Sequence, residues 1–291
     1  MKRLTRDRIC RRFSADDEPA LVVQLDETFV IETSDRFRGL TASDLPGSED
    51  SLINTMNGPV YIDGARPGDT IKIEILDITP SSEEAYVIAM PGWGPLGQDI
   101  LSGRVETVSI EGESVVFASG VSIPLRPMIG RIGVAPKDGN ADLDAMGPFG
   151  GLLSNTDIAG GSSLYLPVFH DGAFLSLGDS HVAMGDGEAT SSAVEGAVDV
   201  TLRTSLSKDI QVLGPLITTS AHVITCGRGP TMEEASSIAV RGMADILVER
   251  LKIDRTQAAM LIGCAADIRA CLALYAPYSM KVMMPRSVLG I

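Results

Sequence analysis

Between residues 20 and 125 apolar and polar positions alternate in short runs. ALVVQLDETFVIET, TIKIEILDITP, EAYVIAM and RVETVSIEGESVVFASGVSIPL are rich in β-branched side chains and are separated by Gly, Pro, Asp and Ser. Alternation with such punctuation predicts half-buried strands, and nothing in this part has helical period. In GPVYIDGARPGD, Pro67 presets the entry to a turn and Gly68 can supply the positive φ that closes it. Residues 126–165 break the pattern. The run is studded with glycine yet too apolar to be disordered, so it reads as a packed, functional loop. Strand character returns in LYLPVFH, AFLSLGDSH and AVEGAVDVTLRTSL, with His170-Asp171-Gly172 as a hairpin turn between the first two.

The C-terminal part changes period. Thr231-Met-Glu-Glu234 and Asp254-Arg-Thr-Gln257 have the spacing of capping boxes. The first opens ASSIAVRGMADILVERL, with apolar positions near 3.6 spacing. The second opens AAMLIGCAADIRACLALY, apolar almost all round, which predicts a helix buried in the subunit or at an interface. Asp267 and Arg269 interrupt it, so it is not a membrane span. The chain therefore divides into a β-rich portion, 1–125, and a loop-rich, β and helical portion, 126–291, packed closely as one catalytic unit.

Charge narrows the partners. The net charge is −14 with a pI of about 4.6, a field that repels nucleic acid and anionic membranes and attracts cations. Charged residues make up 21% of the chain and the mean hydropathy is +0.18, which favours burial of some surface against further copies of the chain. The basic stretch MKRLTRDRICRR lacks the apolar run of a signal peptide and reads as an exposed leader, a first strand or an interface arm. Cys10, Cys226, Cys264 and Cys271 form no CxxC pair, and Cys264 and Cys271, seven apart in the expected helix, are too distant for a disulfide. Unpaired thiols of this kind fit a reducing cytoplasm.

One stretch concentrates chemistry. GDSHVAMGDGE, Gly178 to Glu188, holds one of only three histidines among several acids. On a strand, Asp179 and His181 share a face. Gly185 and Gly187 let the backbone turn about Asp186 and bring Glu188 back toward that pair. An imidazole with carboxylates suits a divalent cation with a water in an open position, the spare carboxylate acting as base. The same spacing also fits a tight turn with solvated acids and one satisfied histidine. His170, in a turn, and His222, in a strand, are weaker candidates, so any metal site is mostly oxygen. Trp93, the sole tryptophan, sits in the Gly/Pro-rich MPGWGPLG, either as a pocket wall or as a core plug.

Taken in order, several stretches resemble the acetamidase/formamidase family: Glu32 to Asp35, Asn54 to Asp69, Pro91 to Gly94, PMIGRIGVAP at Pro127 to Pro136, GPFGG at Gly147 to Gly151, Ser162 to Glu188, Glu195 with DVTLR beyond, and AADIR at Ala265 to Arg269. The resemblance covers nearly the whole chain. It implies a mainly β fold, a β-sandwich-like body with a smaller C-terminal α/β portion, in a homo-oligomer that hydrolyses small linear amides to carboxylate and ammonia. It places Asp179, His181, Asp186 and Glu188 in the active centre, brings Asn54 and Asp35 near it, and implies a divalent metal. On the chemistry of the side chains, Glu188 and His181 are then the catalytic pair, Asp179, His181 and Asp186 the ligands of zinc or calcium, and Asn54, Asp35 and Trp93 the substrate-binding residues. The sequence departs from the family's usual Asn-x-Asp after GP-x-GG: Phe149 and Leu152-Leu153-Ser154 stand there. That departure points to loss of part of the polar shell and of a second metal, and to a larger, more apolar substrate. Its alternatives are a non-catalytic binding protein on the same scaffold and a hydrolase of another C–N bond.

Overall fold

The computed structural model describes residues 1–34, 37 and 55–290. Two sheets carry the fold. The first has nine strands, in the order Lys2–Leu4, Thr28–Glu32, Val198–Leu206, Thr70–Pro80, Ser163–Pro167, Leu216–Thr218, His222–Gly229, Tyr278–Pro285 and Asp267–Leu272. The second has twelve and is centred on Leu175–Ala183, which pairs with Met128–Gly133, Val194–Glu195 and Met56–Asp63. Both sheets draw strands from before and after residue 125.

The strand Val198–Leu206 alternates buried and half-buried positions, as a strand with one face in the core should. Its inward Val200 and Leu202 join Ile73 and Ile75 of the same sheet and Ile62, Ile129, Leu175 and Leu177 of the other in one apolar cluster. Two sheets sharing one core face each other, which makes the body sandwich-like, as expected from the resemblance.

Helices α1 (Met232–Leu251) and α2 (Arg255–Ala265) cover the far end of the nine-stranded sheet; α3 (Arg286–Leu289) is a single turn. Thr231 caps α1 by accepting the Glu234 N–H, and Asp254 with Gln257 forms a full capping box on α2. Ala239, Met243 and Leu247 of α1 and Ala258 and Ile262 of α2 pack on Val223, Val282 and Met284 of the sheet. The helix lies so close that a Cβ on Gly227 would stand 2.1 Å from the Ala235 carbonyl oxygen.

Four local expectations are revised. The 126–165 run is not only loop: Met128–Gly133 is a fully buried strand, and a strand buried on both faces has no alternation to reveal it. The His170–Gly172 turn is not a hairpin, because Ser163–Pro167 and Leu175–Ala183 lie in different sheets. The run from Ala193 is two strands, Val194–Glu195 and Val198–Leu206, one in each sheet, so the chain crosses the sandwich at Gly196. The second helix stops at Ala265, where the Ala266 N–H bonds to the Ile262 carbonyl, and Asp267–Leu272 continues as a strand paired with Tyr278–Pro285. Only Ala258 and Ile262 of α2 are buried, so it is a half-exposed helix, with Met260 64% accessible. Cys264 and Cys271 thus lie in different elements, and all four cysteines are free. The N-terminal stretch is a first strand, Lys2–Leu4, parallel to Thr28–Glu32, with Arg3 paired to Glu32 and Asp199. Among the described residues no helix is long and apolar enough to cross a membrane.

Candidate active site

The strand Leu175–Ala183 carries Asp179 and His181 into the interior. Asp179 adopts φ 54°, a kink in the strand, and its neighbour across the ladder is Gly130, where a Cβ would stand 2.7 Å from Asp179 Oδ2. The bare glycine makes room for the carboxylate. His181 is directly opposite Glu195 in the register with Val194–Glu195. One imidazole and two carboxylates therefore converge: His181 Nε2 is 3.3 Å from Glu195 Oε1 and 3.7 Å from Asp179 Oδ1. One ligand atom from each of the three lies within 4.8 Å of the others.

The tautomer follows from the other ring nitrogen. His181 Nδ1 is 3.1 Å from Met184 Sδ, and a thioether can only accept, so Nδ1 carries a proton. Nε2 is left facing two carboxylates, an arrangement that needs a cation between them, a proton or a metal ion. Burial opposes a charge on the ring, but Glu195 and Asp179 outweigh it and hold the His181 pKa well above the ordinary value. The donor set, one imidazole nitrogen with carboxylate oxygens, suits a borderline or hard divalent cation and fits the metal that the resemblance implies.

Arg131, on Met128–Gly133, is the cation of the site. It is 8% exposed; its Nη1 is 3.4 Å from Asp179 Oδ1, and its Nη2 donates to Asp144 Oδ1 at 2.8 Å. Its Nε and Nη1 are buried without a hydrogen-bond partner among the described residues. Glu188 reaches the same space from a tight loop: it sits at φ 48°, its N–H bonds to the Gly185 carbonyl, and its carbonyl accepts from the Ser191 N–H. Burial pushes its carboxyl up to about 7, helped by Asp179 and Glu195 and opposed by His181. Asp179, Glu188, Glu195, Arg131 and Asp144 share a cavity of about 580 Å³ with Trp93 and Tyr275.

Of the residues singled out in the sequence, Asp179, His181, Glu188 and Trp93 meet here. Asp186 is not in this group. Its Oδ1 accepts from Lys281 Nζ at 2.7 Å and from the Thr156 hydroxyl, and Arg269 Nη1 is 3.8 Å from its Oδ2. Burial would raise its pKa, but these donors, Lys281 first, hold it below the ordinary value. Asp35 and Asn54 lie outside the described residues. His170 Nε2 donates to the Pro136 carbonyl, away from the cluster. Phe149, Leu152, Leu153 and Ser154, which stand where the family pattern is polar, are buried; Phe149 packs against Phe13 and Leu152 is opposite Arg131 in the ladder. Glu195 stood in the sequence only as a match to the family pattern, with no role, and Arg131 and Tyr275 were not singled out. Glu195 is fourteen residues from His181 in sequence, so only the strand register reveals their pairing.

The chain matches the model of the Acetamidase/Formamidase family over residues 2–142 and 150–288; the unmatched 143–149 contain Asp144 and Phe149. It is similar to the crystal structure of an acetamidase from Bacillus halodurans, with a TM-score of 0.89 and 34% identity over 99% of this chain and 100% of that one. A predicted acetamidase/formamidase from Thermoanaerobacter tengcongensis gives a TM-score of 0.90 at 29% identity, covering 99% of this chain and 97% of that chain. A putative formamidase of Schizosaccharomyces pombe is 27% identical over 230 residues, 58% of this chain and 55% of that relative, so the match spans about half of the relative's length. Family match and structural likeness cover nearly every described residue, the site included: the chain belongs to the Acetamidase/Formamidase family.

Proposed function

We propose that the protein hydrolyses a small amide to carboxylate and ammonia at the His181 site. One observation carries the reading: Asp179, His181 and Glu195 converge on one point, and Glu188, its carboxyl raised to about 7, opens on the same cavity. Asp179, His181 and Glu195 would hold a divalent cation, which when bound polarises a carbonyl and acidifies water. Glu188 takes a proton from the attacking water and gives it to the amide nitrogen, because ammonia leaves only if the nitrogen is protonated first. A carboxyl titrating near neutrality suits both directions of that transfer. Arg131, wedged between Asp179 and Asp144, fixes the Asp179 carboxylate and offsets part of the negative charge.

The experiment is ammonia release from a series of amides with added zinc, calcium or other divalent ions, repeated after chelation and with Glu188→Gln. General-base catalysis is worth about 10²–10⁴-fold. The variant should lose at least that factor in kcat while keeping its fold and its bound metal. Undiminished turnover in the variant removes Glu188 from the reaction.

A further inference from the structure

The cavity in front of Glu188 is much larger than a formamide or an acetamide needs. It measures about 580 Å³, within the roughly 300–1,000 Å³ range of pockets that enclose drug-sized ligands. A water's share of liquid volume is about 30 Å³, so an amide of three or four heavy atoms fills on the order of 100 Å³ and leaves most of the space to water.

The walls mix two chemistries. The lining includes the carboxylates of Asp179, Glu188 and Glu195 together with Trp93 and Tyr275, 42% and 50% exposed, and the aliphatic Ile88 and Leu274. Large half-wet rings and aliphatic side chains in one lining gain from covering by an apolar group. The backbone that carries Trp93 is held in a tight loop. Trp93 N–H bonds to the Met90 carbonyl, Gly92 N–H to the Gly97 carbonyl and Gly97 N–H to the Gly94 carbonyl. Gly94, at φ 63°, lies so close to Thr190 that a Cβ there would be 2.8 Å from the Thr190 carbonyl carbon. The tryptophan loop therefore rests on the segment that follows Glu188, and the aromatic wall is registered against the proposed base.

Charge excludes one class of occupant. Among the described residues, Asp144, Asp179, Glu188 and Glu195 line the cavity with Arg131 as the one cation, and Arg131 is already paired with Asp144 and Asp179. An acyl group bearing its own carboxylate would meet repulsion from these four acids.

We propose that the preferred substrates are amides of uncharged arylalkyl carboxylic acids, the aromatic acyl group lying against Trp93 and Tyr275 and the amide facing Glu188. The inference rests on the amide-hydrolysis reading and deepens it.

The test uses the full chain with divalent metal and three amides: acetamide, phenylacetamide and 4-carboxyphenylacetamide. Phenylacetamide should exceed acetamide in kcat/KM by at least about tenfold, the scale of discrimination that apolar contacts provide. The carboxylated analogue should fall below phenylacetamide, and Trp93→Ala should pull the phenylacetamide-to-acetamide ratio toward one. Preference for acetamide, preference for the carboxylated amide, or a ratio unmoved by Trp93→Ala and Tyr275→Ala alike overturns the proposal and leaves amide hydrolysis intact. If no amide releases ammonia, hydrolysis itself falls and binding decides the pocket. Trp93 is the sole tryptophan, so its fluorescence reports occupancy without turnover. In Glu188→Gln, phenylacetamide should perturb that emission at concentrations at least tenfold lower than acetamide; equal or no response from the two amides overturns the pocket assignment as well.

Discussion

Lys281 Nζ donates to Asp186 Oδ1 at 2.7 Å while only 1% of the lysine is exposed. The same ammonium donates to Asp157 Oδ2 at 2.7 Å and to Asn155 Oδ1 and Thr156 Oγ1 at 3.2 Å. One buried charge on Tyr278–Pro285 thereby ties residues 155–157 to the loop that delivers Glu188. A buried ion pair is costly to break from one side, because the remaining charge keeps its desolvation penalty. Lys281→Met should destabilise the protein by about 3–5 kcal/mol, read as a lower denaturation midpoint. Lys281→Arg, which keeps the charge, should recover part of the loss. Equal stability of Lys281→Met and wild type would show that the ion pair adds nothing net to stability.

Glu195 and Asp186 should separate cleanly in metal affinity. Glu195 faces His181 across the ladder, whereas Asp186 is held by Lys281. Glu195→Gln should weaken zinc binding by at least about 10–100-fold, the size of effect that even outer partners of a metal site produce. Asp186→Asn should change it only a few-fold while lowering thermal stability. Calorimetric titration of the metal-free protein reads the first effect and a melting curve the second; reversal of the two results would return Asp186 to the ligand set.

The pH dependence of stability in chelated protein should carry the signature of Glu188. Its folded pKa, about 7, lies above the ordinary carboxyl value of 4.5. Between these values the folded state binds more protons than the unfolded chain, so stability falls as pH rises. The contribution is fully present below 4.5 and lost as pH passes through about 7. One proton corresponds to a slope of at most about 1.4 kcal/mol per pH unit. Glu188→Gln should flatten that part of the curve. An unchanged slope in the variant would assign the titration to another group.

The helix caps give a prediction independent of the site. Asp254 Oδ1 accepts from the Gln257 N–H at 2.8 Å, and Gln257 Oε1 accepts from the Asp254 N–H at 3.1 Å. Asp254→Ala should cost about 1 kcal/mol, within the 0.5–2 range for lost N-caps, and leave metal affinity unaltered. A neutral effect in chemical denaturation would show that α2 is held by packing alone.

What the sequence exposes here follows from how each element is buried. Alternation made Thr70–Pro80 and Val198–Leu206 legible because each turns one face to the core. Met128–Gly133 is buried throughout, so its pattern offers no period, and the glycines that let Asp179 and the Phe149 and Gly151 backbone approach it read as loop. The apolar run after Asp254 matches a long helix by composition, yet Asp267–Leu272 gains a partner in Tyr278–Pro285 that local periodicity cannot show. In the site, Asp179 and His181 were legible as an i, i+2 pair. Glu195 and Arg131 join them through strand register, and Asp186 is drawn away by Lys281, 95 residues on. Each of these relationships is set by a non-local partner.

The clamp on the 155–157 segment also fixes when the site can exist. Lys281 reaches Asn155 across 126 positions and Asp186 across 95, so the loop bearing Glu188 lacks its anchor until Tyr278–Pro285 has left the ribosome and found its place in the sheet. Contacts this remote in sequence are paid for late in folding. A nascent chain that has already exposed Asp179, His181 and Glu195 therefore still lacks the anchor of the loop bearing Glu188, which forms only once Tyr278–Pro285 has been made.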